Sequence, residues 1–470
     1  MPRTVSNQPI GKMSIKNKRI HLIAIGGGTM SQLAIALHHN GNQISGSDDE
    51  IFEPARSNLD KDGLLPFSLG WDASRIDSTL DLVVLGMHAR ADNPELLKAR
   101  ELGLEVLSYP ELIARHAENK QRIVIAGSHG KTTTTAILMH VMKFAGKKFD
   151  YLVGAPIPGF EQTVKLTEEA PIMVIEGDEY LASAEISIPK FLVYKHHVGL
   201  VTGISWDHIN VFPTEHSYVR QFDHFADATP KAGILVYNEE DALTTVICKK
   251  EREDVTTLEY GTPKHVVKNG KTYWITPDSR EIPLRFFGNH NLSNANGART
   301  LLHKIGISDE VFFEAIQTFE GASLRLEKLG ENNNRLVYRD FAHAPSKLAA
   351  SVAAVREQFP NHHITAVMEL HTFSSLNREF LKTYAHGLDQ ANEAMVYFNP
   401  EVARHKKMEP LNEELVRNGF QRDDIQVFTD SQALFERLKA NIQPNSLLLL
   451  MSSGNFNQTN LNEFTKHYLA

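Results

Sequence analysis

Short apolar runs alternate with amphipathic segments along most of the chain, and this alternation predicts its strands and helices. Apolar runs bounded by turn residues are typical of strands buried in a parallel sheet. Strands are predicted at residues 19–25, 43–47, 82–86, 121–126, 172–175, 200–204, 336–341, 364–368, 395–398 and 446–451. Helical spacing is found at residues 30–39, 132–144 and 346–359. The pattern indicates βαβ units and an α/β fold.

The length of 470 residues exceeds that of one ordinary domain, since domains average about 150 residues. We predict three: a Rossmann-like N-terminal domain over 1–118, a central domain over 119–320, and a Rossmann-like C-terminal domain over 321–470. Between about 232 and 286 short β-like pieces such as 271–275 stand between turn residues. This stretch predicts a small antiparallel insert in the central domain.

Charge and composition exclude several classes of protein. A net charge of −8 argues against a general nucleic-acid binder. No apolar run reaches the length of a membrane span, and Met1 to Lys12 form a polar extension without the apolar core of a secretory signal. Cys248 is the single cysteine, so no disulfide forms within the chain. We expect a cytoplasmic protein, monomeric or weakly dimeric, without a nucleic-acid or membrane partner.

A phosphate-binding loop is predicted where the strand at 121–126 meets the helix at 132–144. Its residues are Gly127, Ser128, His129, Gly130, Lys131, Thr132, Thr133 and Thr134. Glycines let backbone N–H groups turn toward phosphate oxygens, and the helix N-terminus adds positive potential. Lys131 is the expected charge clamp for the β/γ-phosphates, and the Thr132 hydroxyl the expected Mg²⁺ ligand. Ile125 stands where the usual motif has its first glycine, and the loop alone does not distinguish a kinase, an ATPase or a ligase.

Carboxylates follow two further apolar strands. Glu176-Gly177-Asp178-Glu179 comes directly after residues 172–175, and Asp207-His208 comes after residues 200–204. In open α/β sheets, ligands bind beyond the carboxyl ends of strands. Mg²⁺ prefers oxygen ligands, so the sequence predicts a metal–phosphate site here. Gly288-Asn289-His290-Asn291-Leu292-Ser293-Asn294 opens another helix, and its amides either cap that helix or read an adenine edge.

A second glycine-rich turn, Gly26-Gly27-Gly28, joins the first strand to the first helix. Asp48 follows the second strand, near the position where a dinucleotide fold binds a ribose hydroxyl. A dehydrogenase is therefore a rival interpretation, although Ser31 stands where the strict dinucleotide motif has glycine. A uridine diphosphate could use the same helix N-terminus.

Taken in order, these motifs resemble those of the Mur ligases of bacterial cell-wall synthesis, from Arg19 to about Phe456. The motifs that carry the resemblance lie at 25–31, 126–134, 176–179, 207–208, 288–291, 325 and 340–345. The resemblance implies a UDP-binding Rossmann-like domain, a central P-loop ATPase domain and a Rossmann-like C-terminal domain. It also implies ATP and Mg²⁺ as cofactors, and an ADP-forming reaction. In that reaction the lactyl carboxylate of UDP-N-acetylmuramate becomes an acyl phosphate and is then attacked by an amine.

The family's roles, carried onto matching positions, imply three groups of site residues. Lys131, Glu176 and His208 would be catalytic, with Thr132, Glu176 and His208 holding magnesium. ATP would contact the phosphate loop and a set from later in the chain, Asn291, Asn294, Arg325, Asp340 and His343. The UDP substrate would contact Gly26, Gly28, Met30, Ser31, Asp48, His88 and His129.

Four segments resemble the branch of the family that recycles peptidoglycan by joining the tripeptide L-Ala-γ-D-Glu-meso-diaminopimelate. They are residues 86–89 with 93–94, 176–180, 340–343 and 451–454. A sibling branch joins L-alanine to the same UDP sugar and is the alternative. The chain departs from the family's usual residues at Leu324, Arg339, Leu181, Asn210 and Gly203, and residues 369–372 lack an arginine that relatives often carry where the peptide binds. A nucleotide-binding regulatory protein with a decayed active site is the further alternative.

Overall fold

The computed structural model describes residues 15–250 and 252–470, so the polar extension Met1 to Lys12 lies outside the described residues. Backbone contacts group the chain into two compact units. The first comprises residues up to Ile204 together with Val219–Glu259. The second comprises Ser205–Tyr218 together with Tyr260–Ala470. The segment that carries Asp207 and His208 therefore belongs to the second unit.

The first sheet has four parallel strands in the order β2-β1-β3-β4, as expected for a Rossmann-like domain. Strands β1, β3 and β4 are almost fully buried, whereas β2 is mostly accessible. The capping box of Ser108 and Glu111 starts the last helix of this region. The strands are β1 Arg19–Ile23, β2 Gln43–Ser47, β3 Leu82–Leu85 and β4 Val106–Ser108. The helices are α1 Gly28–His39, α2 Ala55–Lys61, α3 Pro94–Glu101 and α4 Tyr109–His116, with a 3₁₀ turn at Ala73–Arg75.

The second sheet has seven strands in the order β11-β10-β9-β5-β8-β6-β7. Strand β5 lies at its centre and pairs in parallel with β8 and β9, so the carboxyl ends of these strands meet at one edge. The strands are β5 Gln121–Ala126, β6 Phe149–Leu152, β7 Val164–Lys165, β8 Ile172–Glu176, β9 Val198–Val201, β10 Ile234–Asn238 and β11 Thr256–Tyr260. The helices are α5 Lys131–Phe144, α6 Lys190–Val193, α7 Glu215–Asp227 and α8 Ala242–Cys248.

The antiparallel insert is smaller than the stretch 232–286 predicted for it. Its three strands are β12 His265–Lys268, β13 Lys271–Ile275 and β14 Glu281–Pro283. Strands β10 and β11, in the first part of that stretch, instead extend the seven-stranded sheet. Two helices follow, α9 Asn289–Lys304 and α10 Asp309–Ile316.

The third sheet has the order β15-β16-β20-β17-β18-β19, parallel except for the β15–β16 pair. Alternate residues of its strands enter two separate apolar cores, so both faces are covered. The strands are β15 Glu327–Asn332, β16 Arg335–Asp340, β17 His363–Leu370, β18 Glu393–Phe398, β19 Gln426–Phe428 and β20 Ser446–Met451. The helices are α11 Pro345–Gln358, α12 Arg378–Leu381, α13 Pro400–His405, α14 Glu413–Phe420, α15 Ser431–Ala440 and α16 Leu461–Leu469, with a 3₁₀ turn at Lys382–Tyr384.

The three main sheets confirm the predicted α/β class, and most strand predictions agree with the structure to within two residues. The strand predicted at 200–204 is the exception, because β9 is Val198–Val201 and ends three residues earlier. None of the helices within residues 15–250 and 252–470 is both long and apolar enough to cross a membrane.

Candidate active site

The predicted phosphate loop lies between β5 and α5, at the centre of the seven-stranded sheet. Gly127 and Gly130 have φ angles of 137° and 80°, a region that side-chain-bearing residues rarely adopt. The Ser128 N–H donates to the carbonyl of Gly203 at 2.9 Å. Helix α5 begins directly after Gly130, and its first N–H groups and macrodipole favour an anion. The loop therefore has the backbone form and the electrostatics of a phosphate site.

Thr202, one residue beyond β9, fixes the shape of this loop. Its hydroxyl donates to the carbonyl of His129 and lies 3.2 Å from that of Ala126. A Cβ atom at Gly127 would lie only 2.0 Å from the same hydroxyl oxygen. The His129 ring packs against Gly203, where a Cβ would lie 2.9 Å from the imidazole Cε1. Residues at the end of a neighbouring strand thus hold both ends of the loop.

Lys131 is mostly buried and is neutralised by a carboxylate. Its Nζ donates to Glu179 Oε2 at 2.6 Å and also to the carbonyl of Gly127. Burial favours the neutral amine, but the nearby carboxylates of Glu179 and Asp178 outweigh it and hold the pKa of Lys131 above its ordinary value. Lys131 is therefore a charged ammonium located at the start of α5.

Thr132 and Glu176, two of the residues predicted to hold magnesium, are in direct contact. The Thr132 hydroxyl donates to Glu176 Oε1 at 2.7 Å, and the Gly154 N–H donates to Oε2 at 2.8 Å. The side chains of Thr132 and Glu176 both offer oxygen, the ligand type that Mg²⁺ prefers. The part of the chain that the structure describes has no group of three or more His, Cys, Asp or Glu side chains placed to hold a metal ion. A Mg²⁺ ion at this pair would therefore take its remaining ligands from water and phosphate, which is usual for this ion.

The predicted UDP site lies at the carboxyl edge of the four-stranded sheet. The Gly26 N–H donates to Asp48 Oδ2 at 2.7 Å, and burial raises the pKa of that carboxyl to about 6. The Ser31 hydroxyl donates to the carbonyl of Gly28 at 3.1 Å. Met30 is buried beside them, and the exposed His88 follows the neighbouring strand β3. The structure thus brings these residues to one edge of the sheet.

In the second unit, Asp207 is a buried carboxylate held by several groups. It accepts from the Ser374 hydroxyl at 3.1 Å and from the backbone N–H of His208, and it lies 3.7 Å from His343 Nε2. Burial opposes its ionisation, but His343 and His208 keep its pKa well below the usual range. His208 has a φ of 58°, which makes this a backbone position of higher energy.

Asp340 and Arg325 also lie close together in this unit. Asp340, at the end of β16, accepts from the backbone N–H of Leu326 and of Ala342, each at 2.7 Å. The Arg325 guanidinium lies 4.7 Å from the centre of the Phe341 ring. His343 Nδ1 is 2.8 Å from the Phe341 carbonyl, and burial lowers the pKa of His343.

The asparagines of α9 are buried rather than acting as a simple helix cap. The Asn291 amide donates to the carbonyl of Phe287 at 3.0 Å. Asn294 lies one turn further along and is 7% exposed. The helix has Gly288 at its N-cap position and no side-chain cap. These amides therefore lie at the helix start without the capping role that was the simpler interpretation.

Three further residues shape these sites through contacts that the sequence did not predict. Glu179 belongs to the acidic motif already identified. Because a buried lysine needs a counter-charge, its pairing with a carboxylate of that motif could have been predicted. Asp207 was noted only as part of a pair with His208. Thr202 had no local signal, because its role depends on the pairing of β5 with β9.

Three family models match the chain one after another. The Mur ligase family catalytic domain matches residues 19–121, the Mur ligase middle domain matches 125–302, and the Mur ligase glutamate ligase domain matches 324–454. Together they cover all the motifs described above.

Curated relatives show the same similarity. A UDP-N-acetylmuramate–L-alanine ligase of Arthrobacter sp. (strain FB24) is 31% identical over 387 residues, which covers 80% of each chain. A UDP-N-acetylmuramate–L-alanyl-gamma-D-glutamyl-meso-2,6-diaminoheptandioate ligase of Haemophilus influenzae is 26% identical over 450 residues, covering 93% of this chain and 97% of the relative.

Two solved structures share the fold over nearly the whole chain. The UDP-N-acetylmuramate-alanine ligase of Thermotoga maritima has a TM-score of 0.73 at 22% identity, and the matched part covers 96% of this chain and 99% of the Thermotoga chain. A murein peptide ligase of Psychrobacter arcticus has a TM-score of 0.65 at 20% identity with the same coverage. With its three consecutive domain matches and its phosphate loop, the chain belongs to the Mur ligase family of ATP-dependent, ADP-forming ligases that make amide bonds in peptidoglycan precursors.

Proposed function

We propose that this enzyme joins the lactyl carboxylate of UDP-N-acetylmuramate to the amine of the tripeptide L-Ala-γ-D-Glu-meso-diaminopimelate. The observation that carries the ligase chemistry is the group formed by Lys131, Thr132 and Glu176 at the start of α5. It combines a buried ammonium with a hydroxyl–carboxylate pair, as the transfer of a phosphoryl group to a carboxylate requires.

The first step brings two anions together, which is its main electrostatic obstacle. The carboxylate oxygen attacks the γ-phosphorus, the bond to the β-phosphate oxygen breaks, and ADP leaves. Lys131 and the N–H groups at the start of α5 would offset the charge that builds on the phosphoryl oxygens. Thr132 and Glu176 would hold Mg²⁺, which when bound supplies further positive charge at the phosphates.

The second step forms the amide. The amine attacks the acyl carbon of the mixed anhydride, inorganic phosphate leaves, and the nitrogen loses its proton. His129, packed beside the loop, is the residue that we place nearest to the muramyl carboxylate.

The remaining roles follow the order of the domains. Residues 1–118 would bind UDP, 119–320 the ATP phosphates, and 321–470 would complete the ATP site. The UDP contacts would come from Gly26, Gly28, Met30, Ser31, Asp48 and His88. The later ATP contacts would come from Asn291, Asn294, Arg325, Asp340 and His343, with His208 and Glu176 sharing a second Mg²⁺.

The tripeptide acceptor is supported by the segments 176–180, 340–343 and 451–454, which resemble the recycling branch. The second candidate is ligation of L-alanine. It is favoured by the Arthrobacter relative and by the higher TM-score of the Thermotoga structure. Either reaction uses soluble precursors and ATP, which suits a cytoplasmic monomer or weak dimer.

A direct competition decides between the acceptors. The enzyme is supplied with ATP, Mg²⁺ and UDP-N-acetylmuramate, and then with L-alanine or the tripeptide, and the amide products are separated by mass. We expect kcat/KM to be at least about 100-fold higher for the tripeptide, since binding beyond one residue adds several kcal/mol. A preference for L-alanine selects the second candidate. UDP-sugar binding with neither product would indicate a regulatory protein, and NAD(P) binding would revive the dehydrogenase interpretation.

A further inference from the structure

Polar side chains gather at the carboxyl ends of β17 and β20, outside the residues assigned above. Glu369 lies near the end of β17 and is 3% exposed. It accepts from the Phe456 N–H at 2.9 Å and from the Ser452 hydroxyl. These contacts fix a carboxylate at the edge where α/β sheets bind their ligands.

A histidine lies beside this carboxylate, and the positive charge of a lysine acts on that histidine. His371 Nδ1 is 3.9 Å from Glu369 Oε1, and burial together with the positive charge of Lys406 lowers the pKa of His371. Lys406 follows α13 directly, and its Nζ lies 4.4 Å from the centre of the Phe373 ring. Phe373 is 40% exposed, so this face of the pair is open to solvent.

Lys406 lacks the counter-charge that half-buried lysines usually have. Among residues 15–250 and 252–470 it has no carboxylate within 4.0 Å, and burial lowers its pKa. The buried hydroxyl of Ser453, at the end of β20, also has no hydrogen-bond partner in that part of the chain. A partly desolvated ammonium gains most from an anion that arrives with a ligand.

We propose that Lys406 binds the free carboxylate of the amine substrate and thereby selects an acceptor that carries one. This inference rests on the proposed function, because both candidate acceptors carry a free carboxylate. The fixed carboxylate of Glu369 makes the site mixed in charge, which suits a zwitterion and repels a polyphosphate. Lys406 is thus a specificity-determining residue, and the Phe373 ring keeps its ammonium in place.

The test compares acceptors that differ only in one charge. Wild type and Lys406→Met are assayed with the preferred acceptor as the free acid and with its carboxamides, each carboxylate being amidated in turn. For the free acid we expect Lys406→Met to lower kcat/KM by about 10- to 100-fold, mostly through the acceptor KM. For one carboxamide the two enzymes should differ by less than about twofold, since the contact is already lost. Lys406→Arg should recover part of the preference.

Lys407→Met is the matched control, because Lys407 is the exposed neighbour. It should leave every constant unchanged, and all variants should keep the wild-type KM for ATP and for UDP-N-acetylmuramate. Lys406→Gln repeats the measurement should the methionine variant unfold. Equal loss with the free acid and with every carboxamide, or no loss with either, overturns the role of Lys406. An inactive wild type instead overturns the proposed function, so the two failures are distinguishable.

Discussion

Glu179 accepts a hydrogen bond from Lys131 across the phosphate loop, with 2.6 Å between Oε2 and Nζ. In the proposed reaction the same ammonium must turn to a γ-phosphate. Glu179 therefore competes with the nucleotide for Lys131 while keeping it charged and close to the loop.

Neutralising Glu179 should strengthen nucleotide binding. In Glu179→Gln the side chain can still accept a hydrogen bond, but its charge no longer competes with phosphate. We expect the Kd for ATP, measured by equilibrium titration without the other substrates, to fall by about 3- to 10-fold. The exposed Glu169→Gln should have no effect. Weaker ATP binding in Glu179→Gln would show that this carboxylate assists the nucleotide.

Removing the ammonium itself should stop ligation. For Lys131→Ala we expect kcat/KM to fall by at least about 1,000-fold, because the charge on the transferring phosphoryl group loses its nearest cation. The Kd for UDP-N-acetylmuramate should stay within about twofold of wild type, since the proposed UDP contacts lie mainly on the first sheet. Lys147→Ala, at an exposed position three residues beyond the end of the same helix, is the control. Parallel loss of UDP-sugar binding would contradict the separation of the two sites.

The Thr132 hydroxyl should set the magnesium requirement. Thr132→Ala removes one oxygen of the Thr132–Glu176 pair, so we expect the Mg²⁺ concentration for half-maximal ligation to rise by about 10-fold. Thr132→Ser keeps the hydroxyl and should stay near wild type. A magnesium titration of the initial rate provides the measurement, and identical curves for Ala and Ser would remove the metal role of this side chain.

His196 should make the first unit sensitive to acid. It is 1% exposed, stacks on Phe225 with ring centres 4.0 Å apart, and shares a hydrogen bond with Thr229. Burial lowers its pKa to about 3, so the folded state keeps it neutral where the unfolded chain binds a proton. This histidine therefore contributes stability above pH 6.5 that is lost as pH falls. At pH 5 the loss is about 2 kcal/mol.

Denaturant unfolding at pH 7 and pH 5 checks this expectation. His196→Gln should be less stable than wild type at pH 7 but should lose about 2 kcal/mol less between the two pH values. The exposed His38→Gln should keep the wild-type pH dependence. An unchanged pH dependence in His196→Gln would rule out this histidine as its source.

The residue pattern predicted local elements well and long-range pairing less well. The apolar run 121–126 and the turn after it are local, and β5 has these bounds in the structure. Residues 202–204 continue the predicted strand, yet the backbone N–H groups of Thr202 and Ile204 donate to the Ala126 carbonyl and to the Asp241 side chain, and β9 ends at Val201. Likewise β10 and β11 join the large sheet rather than the insert, because short strands do not encode their partners.

The candidate site divides in the same way. Lys131, Thr132 and Glu176 were predictable, since each lies in a motif whose chemistry depends on spacing along the chain. The pairing of Lys131 with Glu179 rather than Asp178 depends on the turn after β8. The contact of Asp207 with Ser374 joins segments far apart in sequence, which no local pattern specifies.

The hydrogen bond from Thr202 to the phosphate loop has a consequence for the design of chimaeric enzymes. The loop residues 127–134 form a single segment, yet the hydroxyl that supports them and the carbonyl that receives Ser128 come from positions 202 and 203. A loop transplanted from another ligase would arrive without the partners that shaped it. Exchanges in this family should therefore move the end of β9 together with the loop, as one module that is discontinuous in sequence.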